Sequence, residues 1–565
     1  MNHFAHWPDT LSRHISPQQT SLYRNLEIAA NRHPEKDALY YYGGVTSYAQ
    51  LQREVDALAG FLQQHCGVAK GDRVALYMQN SPQFIIGFYA ILRANAVVVP
   101  VNPMNLVGEF RHILEDSGAR VTLIGEELCS GAQPLFGDLL DYVIAARYAD
   151  YLPESTDFPL PAILRDAGAD RLDGVVDASS VRSKVVLWSD ALTVGAQPSA
   201  HLATLSDLAV IPYTSGTTAR PKGCVHSHGS AMHVVDACKD WMHMSEQSVA
   251  LCSLPLFHVT GMQLSMNAPI ACGASIAVMT RWDSRCAAQL IERFRATTWV
   301  AISTMMVDFM SQPDLDTFDL DSIDCLCGGG AAMPQALAKK IESRWGIPYM
   351  EGYGLSETIA TTHFNPPDRC KQQCLGIPIQ NTESIVVDPE TLDVMDVGKT
   401  GEILICGPQV FEGYWANVEA TREAFVEIAG KRYLRTGDLG YVDEDGYFFM
   451  VDRLKRMINA SGYKVSPAEV EALLFEHPAI QEACVIGAKD ERRGETTKAL
   501  IVLRAGFDTS AQEIIAWAHE RMASYKVPRM VEFVRELPRT GSGKVQWRLL
   551  QQREVERAGL SEDFS

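Results

Sequence analysis

Between residues 73 and 124 the apolar and polar positions fall into alternating blocks. "RVALYM" (73–78) is a short unbroken apolar run, as a buried strand requires. Ser81-Pro82 follows, a hydroxyl N-cap with proline in the first turn, and Phe84, Phe88, Ile91 and Leu92 recur at the spacing of one helical face. "VVVPV" (97–101) and "RVTLI" (120–124) are further runs of strand length. Strand and helix signals in alternation predict an α/β fold with largely parallel sheets. The stretch "FIIGFYAILRANAVVVPV" (84–101) has about the length of a membrane span. Arg93 and Asn95 divide it into a helix and a strand, so it is expected in the core, with no integral membrane segment.

The same rhythm returns between residues 250 and 350, then gives way to short β segments punctuated by glycine, as in "TGEILICG" (400–407) and "DEDGYFFMVD" (443–452). After "VDRLKRMINASGYK" (451–464) the texture changes again. Ser466-Pro467-Ala468-Glu469 has the form of a capping box opening a helix, with Val470, Leu473 and Leu474 on its apolar side. Strand signals at "ACVIGA" (483–488) and "KALIVLRA" (498–505) and a helix over 511–523 complete a compact α+β unit of ordinary domain size. The expected architecture is a large N-terminal domain, 1–452, of stacked α/β subdomains plus a β-rich subdomain. A small mobile α+β C-terminal domain, 453–565, follows it.

Composition narrows the function classes. A chain of 565 residues exceeds what one hydrophobic core serves, and a formal charge of −19 lacks the basic footprint of a nucleic-acid binder. The 13 cysteines include no paired CxxC units, and "CKQQC" (370–374) has no histidine cluster beside it. Reduced thiols in a cytoplasmic protein are therefore expected. "MNHFAHWPDTLSRHIS" at the start lacks the basic and apolar regions of a secretory signal. A homodimer stays open.

Two stretches place glycine beside lysine. "PRTGSGKVQW" (538–547) contains Gly-Ser-Gly-Lys, but Pro538 stands where a Walker loop needs glycine, and Val545 where it needs a hydroxyl. "YTSGTTARPKG" (213–223) follows the apolar run "LAVIP" and sets five small or hydroxyl residues before a basic pair. Backbone N–H groups, hydroxyls and Lys222 together suit phosphate oxygens. A flexible surface turn has the same composition; order and context favour phosphate.

This loop resembles the signature of the adenylate-forming superfamily, which includes acyl- and aryl-CoA synthetases, firefly-type luciferases and peptide-synthetase adenylation domains. Six further motifs resemble the family's in order: "PLFHVTG" (255–261), "GGGAAMP" (328–334), "GYGLSET" (352–358), "YLRTGD" (433–438), "VDRLKRMINASGYKVSPAEVE" (451–471) and "PRTGSGK" (538–544). The pattern is most similar to that of fatty-acid–CoA ligases.

The resemblance implies an enzyme that joins a carboxylic acid to ATP as an acyl adenylate, releases pyrophosphate and passes the acyl group to coenzyme A. It implies that Thr214, Ser215, Gly216, Thr217, Thr218 and Lys222 hold the β- and γ-phosphates. Tyr353, with Gly354, would stack on adenine, and Ser356 and Thr358 would line the α-phosphate site. Glu357 would help hold Mg2+, with Thr214 as a second ligand. Gly330, Ala331 and Ala332 would lie against the adenine and acyl group, Asp438 would grip the ribose hydroxyls, and Arg453 would contact the ribose or phosphates. His258 would border the carboxylate; on its own, a histidine beside Leu256 and Phe257 reads more readily as a packed core residue. Lys544 would contact the carboxylate and α-phosphate during adenylation, Lys455 would be the pivot of the small domain, and Gly462 would face the thiol.

Departures and gaps refine this. "FHVTG" offers no aspartate for an ammonium group, which favours a plain carboxylic acid. Ala219 replaces a usual glycine, and Asn459 replaces the lysine that luciferase-like members carry, which counts against a luciferase. The leading expectation is a synthetase for a medium- or long-chain fatty acid. An aryl-acid CoA ligase, a stand-alone adenylation enzyme loading a carrier protein and a non-catalytic relative are the rivals. Gly328, Gly329 and Gly330 with Met262, Met305 and Met306 would suit an aliphatic tunnel, and equally ordinary core packing.

Overall fold

The computed structural model of the chain describes residues 2–16, 20–165, 184–214, 221–330, 332–460, 463–490, 494–539 and 545–557. The chain divides into two compact units, Met1–Glu383 with Ile405–Leu434, and Ser384–Leu404 with Arg435–Ser565.

Two sheets with parallel interiors build the first unit. One has seven strands, in the order Lys184–Leu187, Tyr142–Ala146, Val121–Gly125, Arg73–Tyr77, Val97–Val101, Leu208–Val210 and His226–Ser227, antiparallel only at the last pair. The other has nine: Ile377–Pro378, Ala360–Phe364, Tyr349–Leu355, Cys325–Gly329, Thr298–Val300, Val249–Cys252, Ser275–Val278, Asp37–Tyr41 and Gly44–Ser47. It is parallel from Tyr349–Leu355 through Asp37–Tyr41, with antiparallel strands at its two ends. Parallel neighbours need crossover connections, and these supply the helices.

The helix expected after Ser81 spans Pro82–Arg93, and the Ser81 hydroxyl accepts from the Phe84 N–H as a cap. The periodicity predicted one apolar face; instead every residue from Pro82 to Leu92 is buried. Helices Leu22–Arg32 and Tyr48–Gln64 pack against it, so no side of it is left for water. Asn95 makes the turn to Val97–Val101 with φ of +62°, a left-handed conformation that asparagine tolerates.

The second unit is α+β. Strand Gly494–Leu503 is its spine, antiparallel to Ile480–Asp490 and parallel to Met530–Phe533, with Ile458–Ala460 and Tyr463–Val465 completing the sheet. Its core gathers Val465, Val470, Leu474, Ile480, Val485, Ile501 and Ile514. Helix Ala511–His519 opens with a reciprocal capping box between Ser510 and Glu513. The box expected at Ser466 forms by half. The Ser466 hydroxyl accepts from the Glu469 N–H, but the Glu469 carboxylate pairs with Lys526. Asp452 adds a cap of its own, its Oδ2 accepting from the Ala468 N–H at 2.9 Å and from the Ser466 hydroxyl at 2.7 Å.

No helix among the described residues is long and apolar enough to cross a membrane, none of the 13 cysteines is in a disulfide, and no metal-ligating cluster of His, Cys, Asp and Glu occurs among the described residues.

Candidate active site

In the first unit the expected site residues lie just past the carboxyl ends of parallel strands, the edge at which α/β sheets bind ligands. Thr214 follows Leu208–Val210, and His258 follows Val249–Cys252. Gly330 and Ala332 follow Cys325–Gly329, and Ser356, Glu357 and Thr358 follow Tyr349–Leu355. Within each sheet the parallel strands exit on one side, so residues distant in sequence collect there. Ser215, Gly216, Thr217, Thr218, Ala331, Gly462 and Lys544 lie outside the described residues.

The Thr- and Gly-rich loop is closed at its neck. The Thr214 N–H donates to the Lys222 carbonyl at 2.9 Å, the Lys222 N–H donates to Thr214 Oγ1 at 3.3 Å, and Tyr213 and Gly223 form a β-bridge. Helix Val107–Ser117 braces that neck: His112 Nε2 donates to the Pro221 carbonyl at 3.0 Å, and the Tyr213 phenol to Asp116 at 2.6 Å. The Lys222 ammonium sits 4.8 Å from the centroid of the Tyr414 ring, within cation–π reach. The same phenol donates to Glu357 Oε1 at 2.8 Å. Thr214 and Lys222 thus meet Glu357 through Tyr414, which nothing in the sequence pattern singled out.

The "GYGLSET" segment is held in a strained turn. A Cβ on Gly354 would stand 1.5 Å from the Ala360 carbonyl oxygen, so only glycine lets Tyr349–Leu355 and Ala360–Phe364 pair here. Ile359 and Ala360 have φ of +44° and +104°, at a cost of order 1–3 kcal/mol each. The buried Thr358 hydroxyl accepts from the Leu355 N–H at 2.9 Å and donates to the Ala360 carbonyl at 2.8 Å, which over-determines the turn. His226 Nε2 donates to the Ser356 carbonyl at 2.7 Å, and burial pushes this imidazole down to about 4, so it stays neutral. The Tyr353 ring lies 5.6 Å from the His363 ring, and the Tyr353 carbonyl accepts from the Thr362 hydroxyl.

The glycine run has a packing role. A Cβ on Gly328 would stand 2.0 Å from the Ala301 carbonyl oxygen and 2.1 Å from the Tyr349 hydroxyl, which itself donates to Ala301 at 2.6 Å. Close approach of neighbouring strands thus requires glycine at 328, while Gly330, with φ of +83°, makes the turn that follows. Glu351 anchors that turn, its carboxylate accepting from the Met333 N–H at 2.7 Å and the Cys374 N–H at 3.1 Å. Met262, Met305 and Met306 are all buried.

His258 stands at the entry to a helix whose Gly261–Asn267 segment is π-helical, a form frequent at functional sites. Its Nδ1 accepts from the Thr260 N–H at 3.4 Å, and its carbonyl accepts from the Met262 N–H. The preceding loop is clamped by buried Asn80, whose amide donates to the Leu254 carbonyl and accepts from the Leu256 N–H, each at 2.8 Å.

In the second unit Asp438 and Arg453 face each other across antiparallel strands and form an ion pair at 3.1 Å. Asp438 is buried and Arg453 is partly exposed. The turn bearing Asp438 is set by buried Glu402, which accepts from Arg435 at 2.6 and 3.0 Å and from the Gly437 N–H at 3.0 Å.

Parallel-sheet edges with the neck of a Thr- and Gly-rich loop joined to an acidic turn agree with the fold of adenylate-forming enzymes, and the comparisons show the family. The family model for the AMP-binding enzyme matches residues 26–415, and that for the AMP-binding enzyme C-terminal domain matches residues 469–544. The chain belongs to the AMP-binding enzyme family and is an acid–thiol ligase by class. It is 33% identical over 557 residues to a long-chain-fatty-acid–CoA ligase of Bacillus subtilis (strain 168), covering 98% of each chain. A feruloyl-CoA synthase of Amycolatopsis sp is 33% identical over 521 residues, with 91% of this chain and 95% of that one covered. Among solved structures, the anthranilate CoA ligase AuaEII in complex with anthranoyl-AMP superposes with a TM-score of 0.82 at 26% identity, covering 97% of this chain and 100% of that one.

Proposed function

We propose that the protein is an ATP-dependent acyl-CoA synthetase that activates a medium- or long-chain fatty acid as its acyl adenylate and transfers the acyl group to CoA. The observation that carries this reading is the 33% identity, over 98% of both chains, to a long-chain-fatty-acid–CoA ligase. The meeting of Thr214 and Lys222, from one sheet, with Glu357, from the other, through Tyr414 supports the nucleotide half of it.

In the first half-reaction a carboxylate oxygen attacks the α-phosphorus of ATP, an oxygen–phosphorus bond forms, and the bond to pyrophosphate breaks. Negative charge builds on the transferring phosphoryl group, so fixed donors and cations around it lower the barrier. Residues 214–218 and Lys222 receive the β- and γ-phosphates. Ser356 and Thr358 belong to the α-phosphate site, the latter by shaping its turn. Tyr353 and Gly354, with backbone from Gly330, Ala331 and Ala332, take the adenine. Asp438 takes the ribose hydroxyls and Arg453 the ribose or phosphates. His258 borders the acid, and Lys544 supplies the cation at the carboxylate and α-phosphate.

The residues present fit a hard divalent cation. Glu357 Oε2 makes no hydrogen bond among the described residues, and Thr214 Oγ1 is a second oxygen donor. Glu357 and Thr214 would hold Mg2+, which when bound neutralises charge on the triphosphate. In the second half-reaction the CoA sulfur attacks the acyl carbonyl carbon and AMP leaves, with the backbone at Gly462 facing the thiol. No membrane span or nucleic-acid partner is part of this reading, and the site of action is the cytoplasm.

The feruloyl- and anthranilate-activating relatives favour a second reading, an aryl-acid substrate. ATP–pyrophosphate exchange with a panel of fatty acids from short to long and with aryl acids separates the two, and thioester formation with CoA or with carrier protein separates synthetase from stand-alone adenylation enzyme. Exchange with aryl acids alone overturns the fatty-acid reading. Lys544→Ala should nearly abolish adenylate formation, by about a hundredfold or more. It should spare thioester formation from supplied acyl adenylate; equal loss in both assays removes the role given to Lys544.

A further inference from the structure

Lys222, at the neck of the loop after Leu208–Val210 in the seven-stranded sheet, and Glu357, just past Tyr349–Leu355 in the nine-stranded sheet, carry opposite charges and share Tyr414 as a neighbour, yet among the described residues they form no ion pair with each other. A direct pair would satisfy each charge with the other and leave neither for a ligand. Tyr414 lies between them. Its hydroxyl donates to Glu357 Oε1 at 2.8 Å, and its ring carries the Lys222 ammonium at 4.8 Å from the centroid. We propose that Tyr414 is a positioning residue of the nucleotide site: a spacer that keeps the ammonium and the carboxylate apart and presents them to the triphosphate and to its divalent cation respectively. The proposal rests on the reading of this site as a nucleotide site.

Three features make Tyr414 a fixed spacer. Its backbone is bridged to Cys224, just past the end of the Thr- and Gly-rich loop, and the Trp415 N–H donates to the Gly223 carbonyl at 2.8 Å, so the residue moves with the loop neck. The Tyr414 N–H donates to the Thr421 hydroxyl at 2.9 Å, and the Phe411 ring meets the Tyr414 ring edge-on at 4.9 Å. The Phe411 N–H donates to the Glu357 carbonyl at 2.8 Å, so the segment grips the backbone of the acid as well as its side chain.

The two contacts can be removed separately. Tyr414→Phe deletes the hydroxyl and keeps the ring; Tyr414→Leu deletes both. ATP binding to the full-length protein is measured by calorimetry with and without Mg2+, beside the Mg2+ dependence and KM for ATP of ATP–pyrophosphate exchange. Tyr414→Phe should reduce the Mg2+-dependent gain in ATP affinity about tenfold, the scale of a hydrogen bond to a charged group, with Mg2+-free binding unchanged. Tyr414→Leu should in addition weaken Mg2+-free binding about threefold, the scale of a cation–π contact. Wild-type behaviour of Tyr414→Phe in both measurements overturns the proposal while leaving the nucleotide site intact. Identical profiles for the two variants overturn the separate roles of hydroxyl and ring. A wild-type protein that binds no ATP overturns the underlying reading, and the proposal with it. If Tyr414→Leu does not fold, the Tyr414→Phe comparison decides alone.

Discussion

Glu127 is a carboxyl group in the wrong surroundings for its charge. It sits in the first turn of helix Glu126–Ala132, just past strand Val121–Gly125, where Oε1 accepts from the Tyr148 hydroxyl at 3.0 Å. Oε2 is buried and has no hydrogen-bond partner among the described residues. Burial pushes its carboxyl up from 4.5 to about 7, against the opposing pull of the Tyr148 bond and Arg281 and with a push from Glu126. A folded value above the unfolded one means that the fold favours the protonated acid. The stability this contributes is complete below about pH 4.5 and is lost as pH rises through about 7. The displacement corresponds to about 3 kcal/mol between the two protonation states, of which about 2.5 kcal/mol is lost between about pH 5 and pH 8. Glu127→Gln keeps an acceptor and never ionises. Its stability relative to wild type should therefore grow by about that amount over the same interval. Urea unfolding at the two pH values, read by tryptophan fluorescence, measures it, since seven of the nine tryptophans fall within the first unit. A difference between variant and wild type that does not change with pH refutes the reasoning.

Two further substitutions test the geometry of the strand edge. Asn80→Ala leaves the Leu254 carbonyl and the Leu256 N–H without their partner, at about 2–4 kcal/mol together, and should lower the adenylation rate by loosening the loop that precedes His258; urea midpoints and exchange rates report the two effects. Gly354→Ala drives a methyl into the Ala360 carbonyl and should abolish exchange, whereas Gly108→Ala, which meets open space, should leave it unchanged; equal activity in both variants contradicts the close strand approach.

Much of this was legible from the chain alone, for reasons that are local. A hydroxyl followed by proline before an apolar run can only be satisfied as a helix start, and Ser81-Pro82 became one. Unbroken apolar runs announced Arg73–Tyr77, Val97–Val101 and Val121–Gly125, and motif order announced the family. The expectation for Pro82–Arg93 fell short because periodicity reports which side must be buried, not whether neighbours cover the rest. At Ser466 the capping signature was present, but Glu469 pairs with Lys526, and Asp452, fourteen residues earlier, caps the Ala468 N–H.

The functional polar residues that went unmarked share a cause. Asn80, Glu351, Glu402 and Tyr414 stand in apolar or glycine-rich contexts that look the same in any turn, and each acts on backbone or side chains far along the sequence. Asn80 meets the loop before His258 across 174 residues, because the two sheets bring the ends of Arg73–Tyr77 and Val249–Cys252 together. The sequence by itself determined the elements, the α/β class and the family, since these follow from local propensity, burial period and ordered motifs. Tertiary structure alone decided that a phenol would stand between Lys222 and Glu357, because strand order and crossover path, which set that meeting, leave no periodic trace in the chain.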